Sequence, residues 1–253
     1  MTRVILYNIQ YCAGLKGSFW EYFKFWNLFR SPKYLDYVIA NELKKYNPDI
    51  VGLVEVDTGS LRSRKKDETS YFMDFFGFSD KAEKVKYTKK GLSSIMKVLP
   101  ITRKQANAVI SKREIEDVKY HYLSKGTKRV IIDVKFKRPK PFRILLVHLS
   151  LGKQSRKRQI KELIDIVNGI DDPFILMGDL NIFDGLKEIR ELIRKTRLNY
   201  YHGLQRGYTQ PTNKPTRALD LILASQDIDV KNYKILDLEY SDHLPVMIDF
   251  EIK

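Results

Sequence analysis

The sequence contains a single cysteine, Cys12, among its 253 residues. One cysteine excludes an intramolecular disulfide, and such low usage favours a reducing compartment, so we expect a cytoplasmic protein. No apolar run approaches the roughly 20 residues that would span a bilayer. No basic-then-apolar signal segment precedes the first strand-like run at residues 3–9. Repeats, low-complexity tracts and linkers are also missing, which predicts a single domain covering residues 1–253.

Acidic side chains are scarce relative to basic ones. The chain has 46 lysine and arginine residues against 31 aspartate and glutamate residues, for a formal net charge of +15. This excess favours a polyanionic partner, either nucleic acid or an anionic membrane surface. The alternative is a lysine-rich solvated surface, as in proteins that work at high temperature. If the partner is nucleic acid, the basic runs at residues 62–66 and 156–161 are the expected contact segments.

Strand-like runs outnumber helical ones. Helical patterns start at Ser31-Pro32, cover residues 154–167 and recur near residues 186–193. The runs typical of strands cover residues 3–9, 49–56, 106–111, 118–123, 129–136, 142–149, 174–177, 218–224, 230–236 and 244–252. The pattern predicts an α/β fold with two packed, mainly antiparallel β-sheets and helices on the outer faces, a four-layer sandwich.

Polar residues suited to acid–base chemistry recur at the ends of these strands. Asp179 and Asn181 follow the apolar run at 174–177, and Asp220 opens a later strand. Asp242 and His243 stand side by side at the start of the last one. Each alone is an ordinary turn residue. Two such acid-bearing segments in this order predict metal-assisted attack on phosphorus.

Three residues nearer the N-terminus extend the pattern. Asn8 ends the first strand, Glu55 follows four apolar residues, and His148 lies at another strand end. Taken singly, Asn8 reads as a turn former and His148 as a hydrogen-bonded structural histidine. A buried acid such as Glu55 must be paired or must bind a ligand. The order of all these segments therefore carries more weight than any one of them.

In that order the segments resemble the endonuclease/exonuclease/phosphatase superfamily, which has the deoxyribonuclease I-like fold. The resemblance runs from Tyr7 to Val246 and includes the strand-like run at 106–112. It is nearer to the two-histidine branches, deoxyribonucleases and sphingomyelinases, than to the abasic-site repair nucleases. Those repair enzymes usually have an acid where this chain has Gln10, and they lack a counterpart of His148.

The resemblance implies a metal site. Glu55 would be the principal Mg²⁺ ligand, Asn8 would bind the ion directly or through water, and Asp242 would complete the site or support its ligands. Mg²⁺ accepts few carboxylates together with waters and substrate oxygens, so one dominant acid suits it. Mn²⁺ is the alternative ion.

The resemblance also implies catalytic roles. Asp179 would orient or deprotonate the attacking water, and Asn181 would donate to a phosphate oxygen where negative charge grows. His243 would act as a general base or stabilise that charge, with Asp220 fixing its tautomer. His148 would protonate the leaving oxygen or bind phosphate.

The sequence thus predicts a Mg²⁺-dependent phosphodiester hydrolase, with a nuclease or DNA-end phosphodiesterase as the leading expectation. A sphingomyelinase-like or small-molecule phosphoesterase is the alternative enzyme, and a non-catalytic nucleic-acid-binding module is the alternative of another class. The aromatic segment at residues 19–29 either caps the core, stacks on bases or anchors in lipid. We expect a monomer without a stable protein partner.

Overall fold

The computed structural model describes residues 1–17, 30–85, 104–137, 139–201 and 207–253. The four α-helices of this part are α1 (Leu35–Lys44), α2 (Glu68–Phe76), α3 (Lys153–Asn168) and α4 (Arg190–Lys195). The strands are β1 (Thr2–Asn8), β2 (Ile50–Asp57), β3 (Asp80–Val85), β4 (Gln105–Ser111), β5 (Ile115–Tyr122), β6 (Val130–Phe136), β7 (Phe142–His148), β8 (Phe174–Asp179), β9 (Leu198–Tyr200), β10 (Asp220–Ser225), β11 (Ile228–Ile235) and β12 (Val246–Ile252).

The strands form two six-stranded sheets. One has the order β11-β12-β1-β2-β4-β3 and the other has the order β5-β6-β7-β8-β10-β9. Only β1 with β2 and β7 with β8 run parallel among the described pairs, and the remaining neighbours are antiparallel. The predicted two-sheet, mainly antiparallel architecture is confirmed.

Three apolar clusters separate four layers. Leu6 and Val54 of the first sheet pack against Leu146 and Met177 of the second in a core between the sheets. The outer face of the first sheet is covered by α1 and α2, and the outer face of the second by α3 and α4. Because alternate residues of a strand face opposite sides, each central strand is apolar along nearly its whole length.

The start of the first helix differs from its prediction. Ser31 does not cap it; its buried hydroxyl donates to the Tyr11 carbonyl oxygen at 2.8 Å. The helix begins at Leu35, after Tyr34, whose φ of 64° places it in the left-handed region. The Ser-Pro signal was therefore misread, because a tertiary hydrogen bond uses the serine hydroxyl. Strand β3 carries little apolar pattern and was not predicted.

Strand order brings the polar strand ends to one edge of the sandwich. The parallel pairs end together, so Asn8 lies opposite Val54, and His148 lies opposite Asp179. Asp220 at the start of β10 pairs with Asp179 from the other side. Strand β12 runs antiparallel to β1, with Val246 opposite Leu6. Within the described ranges, no helix is long and apolar enough to cross a membrane.

Candidate active site

The edge where these strands end gathers the predicted site residues from both sheets. Asp179 lies at its centre, because its neighbours in register are His148 on β7 and Asp220 on β10. Asn8 reaches it from the facing sheet, with Nδ2 3.1 Å from Asp179 Oδ2. Asp179 and Asn8 are buried. The structure brings these residues together, while their catalytic roles stay predictions.

A bulge in β2 positions Glu55. The pairing of β2 with β4 shifts between Leu53 and Val56, and Glu55 has a φ of 61°. The left-handed region costs a non-glycine residue free energy, and such strain is found where function requires it. The buried Asn107 side chain accepts the Glu55 backbone N–H at 3.2 Å and so supports the bulge. Asn107 lies in the strand-like run at 106–112, but sequence reasoning gave it no role.

Backbone geometry fixes the Asp179 carboxylate. Gly178, just before it, has a φ of 153°, and a Cβ there would lie 1.9 Å from the Val147 carbonyl oxygen. Asn181 donates its backbone N–H to Asp179 Oδ1 at 3.0 Å. Burial alone would raise the pKa of Asp179, but the neighbouring His148 and His243 hold it below its usual range. The carboxylate is therefore ionised, which suits orienting a water better than deprotonating it.

The Asn181 side chain also has a structural partner. Its Nδ2 donates to the Leu149 carbonyl oxygen at 2.9 Å. A carboxamide nitrogen carries two hydrogens. The predicted donation to a phosphate oxygen would therefore use the second hydrogen.

His243 and Asp220 form a buried pair. His243 Nδ1 lies 2.6 Å from Asp220 Oδ2, and the Thr209 hydroxyl donates to the same oxygen at 2.7 Å. Burial would lower the pKa of His243, but the Asp220 carboxylate raises it to about 10. An imidazolium at neutral pH fits the stabilising role predicted for His243 rather than that of a general base. Thr209 was missed, since a threonine outside any strand pattern carries no signal.

Asp242 lies next to this pair in a crowded acidic environment. Burial raises its pKa to about 6, and Glu55, Asp179 and Asp220 contribute in the same direction. Ser241 ties the segment to the first strand, because its hydroxyl donates to the Asn8 carbonyl oxygen at 2.7 Å. The carboxylates therefore converge on one small region.

His148 faces both acids and a lysine. Its Nε2 lies 3.2 Å from Asp179 Oδ2 and 3.8 Å from Glu55 Oε1, and the Lys128 ammonium contacts the same nitrogen. The Lys128 Nζ is 3.6 Å from Glu55 Oε1. Sequence reasoning missed Lys128, because nothing local distinguishes it among the 46 lysine and arginine residues of the chain.

The donor set suits a hard divalent cation. Glu55, Asn8, Asp179 and Asp242 offer carboxylate and amide oxygens, the ligands that Mg²⁺ and Mn²⁺ accept. Burial is the main cause of the raised pKa of Asp242, and the neighbouring acids add a repulsion that a bound cation would relieve. Asp179, Asp220 and His243 also have ligand atoms within 4.8 Å of one another. However, Asp220 and His243 bind each other, so we favour the set built on Glu55.

Two basic residues of the expected nucleic-acid segments are internal. Arg62 is 2% exposed, with Nε 3.6 Å from Asp57 Oδ2 and its guanidinium 4.2 Å from the centre of the Tyr11 ring. Arg156 is 1% exposed and binds Glu188 with Nε 2.7 Å from Oε2. These two residues hold loops together, so only the neighbouring lysines and arginines remain available to a partner.

Other side chains considered from the sequence have structural partners or lie elsewhere. Asp57 is fully buried and accepts the backbone N–H groups of Gly59 and Ser60, which makes it a turn organiser. His121 lies 3.1 Å from Asp133 on the second sheet. The aromatic segment at 19–29 and His202 lie outside the described residues.

The sequence profile of the endonuclease/exonuclease/phosphatase family matches residues 25–243. The chain belongs to this family. Its members are largely hydrolases that act on phosphoesters, and they usually use divalent metal ions. Among curated proteins, none matches the chain.

Solved structures share the fold. The human Nocturnin catalytic domain with bound sulfate anion has a TM-score of 0.71 at 20% identity, covering 100% of this chain and 94% of that one. A mannosyl-6-phosphatase from Bacteroides thetaiotaomicron VPI-5482 has a TM-score of 0.72 at 16% identity, with both chains covered completely at 100%. D. rerio TDP2 humanised by 14 mutations has a TM-score of 0.68 at 14% identity, covering 99% and 98%. At these identities the likeness shows the fold of the family.

Proposed function

We propose that the protein is a Mg²⁺-dependent phosphodiesterase that hydrolyses nucleic acid by in-line attack of water. The observation that carries this proposal is the convergence on Asp179 of Asn8, His148 and the backbone of Asn181, with the His243–Asp220 pair alongside. An ionised acid and an imidazolium in one buried site give a position for the water and a positive charge for the phosphate.

Each residue has a distinct part in the proposed reaction. Glu55, with Asn8 and Asp242, would hold Mg²⁺, which supplies Lewis-acid stabilisation of charge on the phosphate oxygens. Asp179 accepts a hydrogen bond from the attacking water and directs its lone pair at phosphorus. As the new P–O bond forms, the bond to the leaving oxygen breaks, the water's proton passes to solvent, and the leaving oxygen takes a proton from solvent. The protonated His243 donates to an oxygen on which negative charge develops, and Asp220 keeps it protonated and oriented.

A panel of substrates tests this function. We expect hydrolysis of bis-p-nitrophenyl phosphate that requires Mg²⁺ and stops with EDTA. Duplex DNA, single-stranded DNA, abasic DNA, 5′-tyrosyl DNA, RNA and sphingomyelin then separate the substrate classes. Hydrolysis confined to phosphomonoesters such as mannose 6-phosphate would contradict the diesterase proposal.

An exposed groove supports nucleic acid as the substrate. Four basic side chains line a cavity of about 420 Å³ beside the loop that precedes β6, namely those of Lys125, Lys157, Arg158 and Lys161. A phosphate backbone that contacts them would release counterions, so binding should weaken steeply as salt rises.

Charge reversal in this groove gives a measurable expectation. The variant Lys157→Glu, Arg158→Glu, Lys161→Glu should bind DNA at least about tenfold more weakly, with a salt slope lower by about two to three. Hydrolysis of bis-p-nitrophenyl phosphate should stay within about twofold, since at physiological salt screening acts over roughly 8 Å. Fluorescence anisotropy across a salt series measures both the affinity and the slope.

The matched control reverses three charges at the other end of the sandwich, Lys112→Glu, Lys137→Glu and Lys140→Glu. These lysines are exposed and lie after β4 and β6, away from the polar strand ends. The control should bind DNA nearly as well as the unaltered protein. Equal losses in both variants would show that only net charge matters, and no loss in either would remove nucleic acid as the substrate.

A second candidate substrate has support from exposed apolar side chains that are close in sequence to site residues. They are Leu151 at 61%, Phe183 at 40% and Tyr208 at 38%. They follow His148, follow Asn181 and precede Thr209, respectively. Exposed apolar groups of this kind suit a phosphate ester with an apolar or aromatic group, including a phospholipid, and the sphingomyelin arm of the panel tests it.

A further inference from the structure

Lys128 lies among the site residues. Its ammonium lies 3.6 Å from Glu55 Oε1 and contacts His148 Nε2, and its side chain is 16% exposed. It comes from the loop between β5 and β6, not from a strand end. The ammonium carries only donors, so a phosphate oxygen that reaches this position would accept a hydrogen bond from it.

A buried glutamine holds the loop that carries Lys128. Gln159 Nε2 donates to the Lys128 carbonyl oxygen at 2.6 Å and to the Lys125 carbonyl oxygen at 2.8 Å. Its Oε1 accepts the Ser150 backbone N–H at 2.9 Å, two residues after His148. Gln159 is fully buried, and Gly126 has a φ of 90° where a Cβ would meet the Ser150 hydroxyl at 2.0 Å. The loop is therefore fitted tightly against the strand end that bears His148.

The Glu55 carboxylate is the anion that pairs with the Lys128 ammonium. Glu55 is the acid proposed to hold Mg²⁺, and a lysine ammonium beside the same carboxylate repels that cation. A negatively charged phosphate diester that contacts both the Lys128 ammonium and Mg²⁺ is attracted to each of them, and this offsets their mutual repulsion. A positive group in this position is then most favourable when negative charge on the phosphate oxygens is greatest.

We propose that Lys128 is a catalytic residue that binds a non-bridging oxygen of the scissile phosphate, and that Gln159 is the residue that positions it. This inference rests on the proposed phosphodiesterase function. It assigns to Lys128 the phosphate contact that sequence reasoning gave to His148.

The test combines two measurements on Lys128→Met that should move in opposite directions. Turnover of bis-p-nitrophenyl phosphate at saturating Mg²⁺ should fall about 100-fold, as when one charge-stabilising donor is removed. Mg²⁺ binding to the substrate-free protein, measured by calorimetry, should tighten about three- to tenfold, because a repelling charge is gone. Lys128→Arg should restore much of the turnover. Lys119→Met, at an exposed position on the edge strand β5, should change neither quantity.

Gln159→Met tests the positioning role. Losing the amide should release the loop, so turnover falls and Mg²⁺ binding tightens as in Lys128→Met. If Gln159 acts through the lysine, Lys128→Met with Gln159→Met should be no slower than Lys128→Met alone. A purely structural glutamine would instead add its own loss to that of the lysine.

The possible results distinguish failure of the proposed phosphodiesterase function from failure of the role proposed for Lys128. If the unaltered protein hydrolyses no diester, the proposed function fails. If it is active and Lys128→Met keeps full turnover, the function stands and the inference on Lys128 is overturned. If Lys128→Met loses turnover and Mg²⁺ binding together, the lysine supports the fold of the site and does not contact phosphate, which also overturns the inference.

Discussion

Glu55→Gln should lose at least about 10³-fold in Mg²⁺-dependent turnover, because several kcal/mol of charge stabilisation depends on the bound cation. Its Mg²⁺ affinity should fall in parallel. The free energy of unfolding in metal-free buffer should change by less than about 1 kcal/mol, since glutamine has the same shape and the lost contact with the Lys128 ammonium is offset by removing a negative charge that repels Asp242. Steady-state kinetics, calorimetry and urea unfolding measure the three quantities.

The bulge makes this test sharper. Glu55 holds a left-handed backbone conformation through its N–H bond to Asn107, a bond that glutamine keeps. Glu251→Gln is the matched control, because Glu251 lies on the same sheet at the exposed far end of β12. The control should leave all three quantities unchanged. A large loss of stability in Glu55→Gln, with Mg²⁺ affinity preserved, would make Glu55 a structural acid.

Asp220→Asn and His243→Gln should each remove most of the activity, about 10²- to 10⁴-fold, because the acid orients and charges the imidazole. The double variant should be little slower than the slower single one, as expected of residues that act as a unit. If the two single losses of activity multiply in the double variant, the 2.6 Å contact between His243 and Asp220 does not contribute to catalysis.

The pH dependence of Asp220→Asn provides an independent measure. The folded-state pKa of His243 is raised from 6.5 to about 10, so the imidazolium needed for catalysis persists through neutral pH and is lost only as pH rises toward that value. Without the carboxylate, the alkaline fall in turnover should move down toward 6.5. If the pH profile of turnover is unchanged in Asp220→Asn, a group other than His243 causes the fall in turnover at alkaline pH.

The same variants decide between the two sets of candidate metal ligands. If Glu55, Asn8 and Asp242 hold the cation, Asp220→Asn and His243→Gln should keep Mg²⁺ affinity close to that of the unaltered protein. If the ligands are Asp179, Asp220 and His243, whose donor atoms lie within 4.8 Å of one another, that affinity should collapse. Calorimetric titration of both variants distinguishes these cases.

The fold was predictable because its signals are local and repeated. Apolar runs of strand length recur through most of the chain, and the polar residues that end them fall at one edge in any sheet with parallel central pairs. Asp179 with Asn181, and Asp242 with His243, could be found as short motifs. The first motif stands at the end of β8 and the second shortly before the start of β12, so each is close in sequence to the strand that positions it.

What escaped prediction depends on contacts between distant segments. Lys128 is one basic residue among many until Gln159 fixes its loop beside His148. Arg62 and Arg156 looked like a solvent-exposed binding surface, yet each is buried against an acid that no local pattern links to it. The bulge at Glu55 depends on Asn107 of a neighbouring strand. Side-chain pairs of this kind are set by tertiary packing rather than by periodicity.

The pairing of β1 with β12 has a consequence for the order in which the protein is made. Asn8 leaves the ribosome 233 residues before Ser241, whose hydroxyl binds the Asn8 carbonyl oxygen in the folded site. Until β12 is made, the apolar β1 therefore has an open edge on the side that β12 will occupy, and open edges recruit other strands. Chains that stop short of residue 241 should therefore be both inactive and prone to aggregate.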